Sequence, residues 1–233
     1  MLAAIVEGEE DPKVLANLAK GQLRHKRSAL EEALQGLVGP HQRLLLATQL
    51  RHLDFLDQEI GRLDAEVAQR LSPFEAELEA VDTIPGIARR GAEAILAEMG
   101  TDMSRFATPA HLASWAGVCP GNNRSAGKRR RSPTKGGNVW LQSTLVEAAR
   151  AAARTRTYLG AQYHRLAARI GANRAAMAVA HSIAIILHSI LRTKNPYIDL
   201  GANYFDQRDQ QATLRRAVRR IERLGFKVSV EAL

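Results

Sequence analysis

Ser125 follows Arg124 and precedes a run of four cations, Lys128, Arg129, Arg130 and Arg131, with Lys135 just beyond. No Asp or Glu occurs between Asp102 and Glu147. A hydroxyl crowded by guanidinium and ammonium groups suits a phosphodiester in one of two ways. It can donate a hydrogen bond to a phosphate oxygen, or it can attack phosphorus while the cations neutralise the charge that develops. Attack needs an acceptor for the hydroxyl proton, and no general base lies nearby in sequence. On residue type alone, a loop serine is more often a turn former or a phosphate donor than a nucleophile. Ser132, next to Pro133, reads as a turn residue. Without carboxylates the stretch cannot hold Mg²⁺ by itself.

The segment that must present these groups runs from Cys119 to Trp140. It holds Gly121, Gly127, Gly136, Gly137, Pro120 and Pro133, a spacing that no helix or buried strand survives, so an exposed loop is expected. Asn138 is placed to cap the helix that follows, and counts with the cations as a candidate nucleic-acid contact. Trp115 and Trp140 flank the loop and are expected to anchor its ends in the core, with base stacking as the lesser alternative. Cys119 reads as a small buried side chain. His111, His181 and His188 lie on helical stretches without metal-ligand spacing.

Upstream, Thr83–Gly100 places a Pro85-Gly86 turn between Ile84 and Ile87 and then a helix with Ala92, Ile95, Leu96 and Met99 inward and Gly100 as its stop. This is similar to a helix-hairpin-helix, in which amides at the helix start bind a DNA phosphate. Ala88 stands where a second glycine is usual, and Arg89 and Arg90 add positive charge. A plain helical turn in a packed domain is an equal reading.

Residues 2–38 read as short helices. His41–Leu71 reads as one long helix, with Leu46, Leu53, Ile60 and Val67 recurring every seven residues beside Leu50, Leu56, Leu63 and Leu71. Such a seam either packs on neighbouring helices or pairs with another copy, and Pro73 ends the rod. Ala175–Leu191 is the most apolar run and reads as a buried helix rather than a membrane span. A basic amphipathic helix is expected over Gln207–Leu224, then a short strand over Phe226–Val230. The fold class is therefore all-α: an elongated helical, coiled-coil arm over 1–79, then a compact helical domain over 80–233 carrying the helix-hairpin-helix-like segment and the basic loop.

The bulk numbers agree with a polyanionic partner. Of 233 residues, 33 are Lys or Arg and 24 are Asp or Glu, a net charge of +9. One cysteine excludes an intrachain disulfide, and the N-terminal acids Glu7, Glu9, Glu10 and Asp11 do not resemble a secretory signal, so a reducing, cytoplasmic setting is expected.

The residues Ile84–Gly100, R-F-A-T-P-A-H-L-A-S-W-A-G-V-C-P-G-N-N-R-S-A-G-K (Arg105–Lys128) and K-G-G-N-V-W-L (Lys135–Leu141) together resemble the carboxy-terminal domain of Piv/MooV-type insertion-sequence transposases, the bridge-RNA-guided recombinases. The likeness continues through V-A-H-S-I (Val179–Ile183) and D-L-G-A-N-Y-F-D (Asp199–Asp206). The resemblance implies a two-part active site. An amino-terminal RuvC-like domain supplies four carboxylates that bind Mg²⁺, and this domain supplies a serine, here Ser125, that joins covalently to DNA phosphate. It also implies DNA and a structured guide RNA as partners, and homo-oligomers formed through the helical arm. This chain departs from the pattern in three respects. It carries no RuvC-like segment, Arg124 stands where an acid is common, and Gln142 stands where an arginine is usual. The chain is thus expected to be a fragment or a truncated copy. Alone, it would bind DNA or RNA without recombining, either as half an enzyme or as a non-catalytic binding module. No cofactor is expected in the chain itself.

Overall fold

The structure, a computed structural model, describes residues 1–36, 38–120 and 136–230 together with the backbone of 124–125 and 128–129. The chain is helical, and contacts divide it into Met1–Ser72 and Pro73–Leu233.

In the first unit, α1 (Leu2–Val6), α2 (Pro12–Asn17) and α3 (Arg27–Ala33) precede α4 (Pro40–Leu71). The Asp11 carboxylate accepts the Lys13 amide and Pro12 takes the first helical position, so α2 starts where its sequence dictates. Pro40 opens α4 in the same way. The 32 residues of α4 make a rod of about 48 Å, and none of them is buried. Its first turns are tied down by packing against α1 and by the Arg43–Glu10 ion pair. Leu53, Leu56, Ile60 and Leu63 all stand exposed, so the apolar seam is present and uncovered.

The second unit contains α5 (Glu75–Asp82), α6 (Arg89–Met99), α7 (Pro109–Trp115), α8 (Val139–Ala152), α9 (Tyr158–Ile170), α10 (Ala172–Thr193), α11 (Tyr204–Arg208) and α12 (Gln210–Glu222). Its centre is α10, packed against α5, α7, α8 and α9. The stripe Val179, Ile183, Leu187 and Ile190 recurs at helical spacing and is buried. Each such Leu or Ile contributes about 2 kcal/mol by leaving water. His188 is only 2% exposed on this apolar helix. Its Nε2 lies 2.9 Å from the Phe106 carbonyl oxygen, which can only accept, so the ring donates there and its polarity is satisfied. α10 is long and apolar enough to span a membrane, yet much of it is covered by its neighbours, as in a core helix.

After α10 the chain returns over α9. Asp199 accepts hydrogen bonds from the Tyr158 amide, the Tyr197 hydroxyl and the Gly201 amide. Tyr158 stacks on Phe205, and the Arg165 guanidinium sits over the Phe205 ring, 5.3 Å from its centroid. The D-L-G-A-N-Y-F run is thus a clamp on the start of α9.

Two expectations need correction. The helix expected over Gln207–Leu224 is split at Asp209, where φ is −141° and ψ 62°, and it starts earlier, at Tyr204. No strand forms over Phe226–Val230, where no second strand lies alongside to accept a ladder.

Candidate nucleic-acid interface

The basic loop leaves and re-enters the domain at one point. Gly117 has φ +72°, a conformation that favours glycine, and a Cβ built on Gly137 would lie 2.3 Å from the Gly117 nitrogen and 2.6 Å from the Trp115 carbonyl oxygen. The Asn138 amide donates to the Trp115 carbonyl at 3.0 Å, and the Gln142 side-chain amide donates to the Gly117 carbonyl at 2.6 Å. Two glycines therefore let the backbones touch, and two hydrogen bonds hold them there. The sequence marks Gly137 as a loop glycine, but neither Gly117 nor the pairing of the two was anticipated. The signal that could have found it is the G-G-N cap directly before a helix.

Within the loop, β1 (Arg124–Ser125) pairs antiparallel with β2 (Lys128–Arg129), with Ser125 opposite Lys128 and Arg124 opposite Arg129. The expected loop therefore contains a short backbone ladder across the serine. The side chains of these four residues, and Arg130, Arg131 and Lys135 altogether, lie outside the described residues. Cys119, before the loop, is half-buried.

At the loop's exit, the Asn138 side-chain oxygen accepts from the Leu141 amide at 2.9 Å, and its Nδ2 donates to the Glu98 carboxylate at 2.6 Å. Asn138 thus ties α8 to the end of α6, and its amide is occupied by protein. Trp140 is 75% exposed, so it does not anchor the loop in the core as expected. Its position in the first turn of α8 puts Leu141 and Leu145 on the buried side instead. Trp115 is 38% exposed and leans on Phe106, with ring centroids 5.4 Å apart.

The Pro85-Gly86 turn is built into the core. Gly86 has φ +92°, and a Cβ there would meet the Ala148 carbonyl oxygen at 2.3 Å and the Ala152 nitrogen at 2.6 Å, so the turn seats on the carboxy-terminal half of α8. Arg89 pairs with Glu75 through its terminal nitrogens and with Glu93 through Nε, and these carboxylates hold its charge while the guanidinium depresses the Glu75 pKa. Arg90 reaches Glu93 at 3.3 Å. The two arginines therefore face two acids that sequence reading did not place beside them. Because Gly86 meets Ala152 while Glu98 meets Asn138, α6 runs antiparallel to α8. The turn and the basic loop are consequently at opposite ends of a helix about 20 Å long.

Among the described residues no group of three or more His, Cys, Asp or Glu could hold a metal ion, so the donor set for a divalent cation does not fit these residues.

These elements fall within a segment of recognisable ancestry. Residues 78–165 match the transposase IS116/IS110/IS902 family. The match begins in α5, takes in the Pro85-Gly86 turn, the glycine clasp, the whole basic loop and α8, and ends inside α9. The matched segment supports a role in insertion-sequence transposition. No curated protein matches the chain.

Proposed function

We propose that this transposase-family domain supplies the serine nucleophile and the DNA-gripping loop of an insertion-sequence recombinase. The observation that carries the reading is the clasped loop inside the family match: a serine whose backbone partner is Lys128, on a cationic stretch without carboxylates. In the proposed step the Ser125 Oγ bonds to phosphorus, the bond from phosphorus to a deoxyribose oxygen breaks, and that oxygen leaves as a hydroxyl carrying the proton. The phosphoserine ester conserves the phosphodiester for attack by a second strand's hydroxyl. Lys128, Arg129, Arg130 and Arg131 neutralise the phosphate, with Arg124 and Lys135 along the backbone. The proton acceptor and any metal belong to a RuvC-like half outside these residues. A structured guide RNA would share the basic surface, and the bare seam of α4 would join copies.

Arg89 and Arg90 take a secondary role. Their separation from the loop by the length of α8 corresponds to about six base pairs at 3.4 Å each, so a bound duplex could touch both ends.

The test is a suicide substrate. The chain completed by a RuvC-like half, its metal, guide RNA and nicked DNA should give a covalent protein–DNA adduct that Ser125→Ala abolishes. A non-catalytic binding module, the second reading, binds the same DNA with salt-dependent affinity and never forms the adduct.

A further inference from the structure

Between Asp209 and Glu231 the sequence carries six cations and a single acid, Glu222, and most of that charge falls on α12. Arg215 and Arg219 stand four residues apart, as do Arg219 and Arg223, and Arg220 lies beside them, so these four share one side of the helix. Arg223 extends the row past the last residue of α12, its amide bonded to the Arg219 carbonyl at 3.2 Å. All four are exposed. Leu214, Val218 and Ile221 recur at helical spacing on the opposite side, so the cations have a face to themselves. Elsewhere the chain gives its arginines carboxylates: Arg62 pairs with Glu59, Arg70 with Glu66, and Arg89 with Glu75 and Glu93. Among the described residues no carboxylate pairs with Arg219, Arg220 or Arg223. Like charges four residues apart weaken an isolated helix, and the helix dipole compensates only within the last turn. A bound polyanion removes that repulsion.

From Arg215 to Arg223 the rise of a helix gives a row about 12 Å long. The major groove of B-form DNA is about 12 Å wide, with a phosphate strand along each lip. A guanidinium fork matches phosphate oxygens in pairs, and the helical cations here are all arginines. We infer that the arginine face of α12 lies across the major groove of duplex DNA and holds phosphates on both lips. The major groove of an RNA duplex is too narrow for that span. Contacts to phosphates carry no sequence information, so this surface grips any B-form duplex. α12 lies outside residues 78–165, and the inference is independent of the Ser125 chemistry and of the basic loop.

The experiment measures binding of the full chain to a short DNA duplex of arbitrary sequence over a range of salt concentrations. Arg219→Gln with Arg220→Gln and Arg223→Gln should lower affinity at low salt about tenfold or more and reduce the slope of log affinity against log salt by about 2 to 3, as three lost phosphate contacts require. The corresponding lysine triple should keep most of the slope. Arg62→Gln with Arg70→Gln also lowers the net charge, but Glu59 and Glu66 already hold those arginines, so the slope should stay as it is. Glutamine is a good helix former, and circular dichroism should show the helical content retained. An unchanged slope in the glutamine triple overturns the inference and leaves the reading of the basic loop intact. An equal fall in the Arg62 and Arg70 variant also overturns it, because net charge alone then explains the binding. A larger loss with the matching RNA duplex than with DNA overturns the choice of DNA in favour of RNA. Binding to anionic vesicles in preference to DNA, lost in Leu214→Gln with Ile221→Gln, overturns it in favour of a membrane surface. A parent chain that binds no duplex removes this surface and the loop's grip on DNA together.

Discussion

Gly137 packs on Gly117 with no room for a Cβ between them, and this contact closes the basic loop at its base. The two ends of the loop are therefore registered on α7 and α8. Gly137→Ala should push the two backbones apart and cost about 2 kcal/mol, as overpacked sites do. Gly136→Ala meets nothing within 4 Å and should be close to neutral. Urea denaturation of the two variants checks the contrast; equal stability would remove the clasp from the account.

Gly86 is held on two counts, a φ of +92° and the Ala148 and Ala152 backbones in the way of any side chain. Gly86→Ala should lower stability by more than about 2 kcal/mol, since strain and overpacking act together. A melting curve within a degree or two of the parent would show that the turn does not seat on α8.

Asp199 accepts three hydrogen bonds, two of them from backbone amides. Asp199→Ala strands the Tyr158 and Gly201 amides and should cost about 2 kcal/mol. Hydrogen exchange at the Tyr158 amide reports it directly. Protection there should fall by far more than at α10, and unchanged protection would mean the clamp does not hold α9. Burial, reinforced by the same carboxylate, raises the Tyr197 pKa above its ordinary value.

Lys194, the C-cap of α10 in the left-handed conformation, donates to Glu77 of α5 and lowers the Glu77 pKa below its reference of 4.5. A carboxylate depressed in the folded state adds stability that is present above that reference and lost as pH falls through the folded value. Stability should therefore decline from about pH 5 downward, and Glu77→Gln should flatten that slope while lowering stability at neutral pH. Partial exposure of the pair keeps the effect small. Denaturation midpoints at a series of pH values check it; parallel curves for parent and variant would refute the linkage.

Leu53 and Ile60 of α4 are exposed, so Leu53→Glu with Ile60→Glu should abolish self-association without unfolding the second unit. Sedimentation velocity measures this. A parent that stays monomeric at high concentration would argue against pairing through α4.

Helix starts and stops were legible in the sequence because they are local. Asp11-Pro12, Asn138 and Gly100 act within one turn of themselves, and the structure puts a helix end at each. The apolar run Ala175–Leu191 likewise announced a buried helix, and spacing put Ala92, Ile95, Leu96 and Met99 inward on α6, since neither signal needs knowledge of the partner. Residue type alone also brought the serine and its cations to notice.

What depended on distant parts of the chain could not be read that way. Trp140 is as apolar as any core residue, and only the seating of Leu141 and Leu145 against the domain turned the indole outward. Arg89 looked like free charge until α5 brought Glu75 to it. Gly137 looked like a loop glycine until the fold set it against Gly117, and the antiparallel course of α6 and α8 separated two basic segments that are close in sequence. Composition and spacing determined which groups this protein carries. The tertiary packing decided which of them are already occupied by protein and which still face solvent, because exposure and pairing depend on neighbours that lie far along the chain.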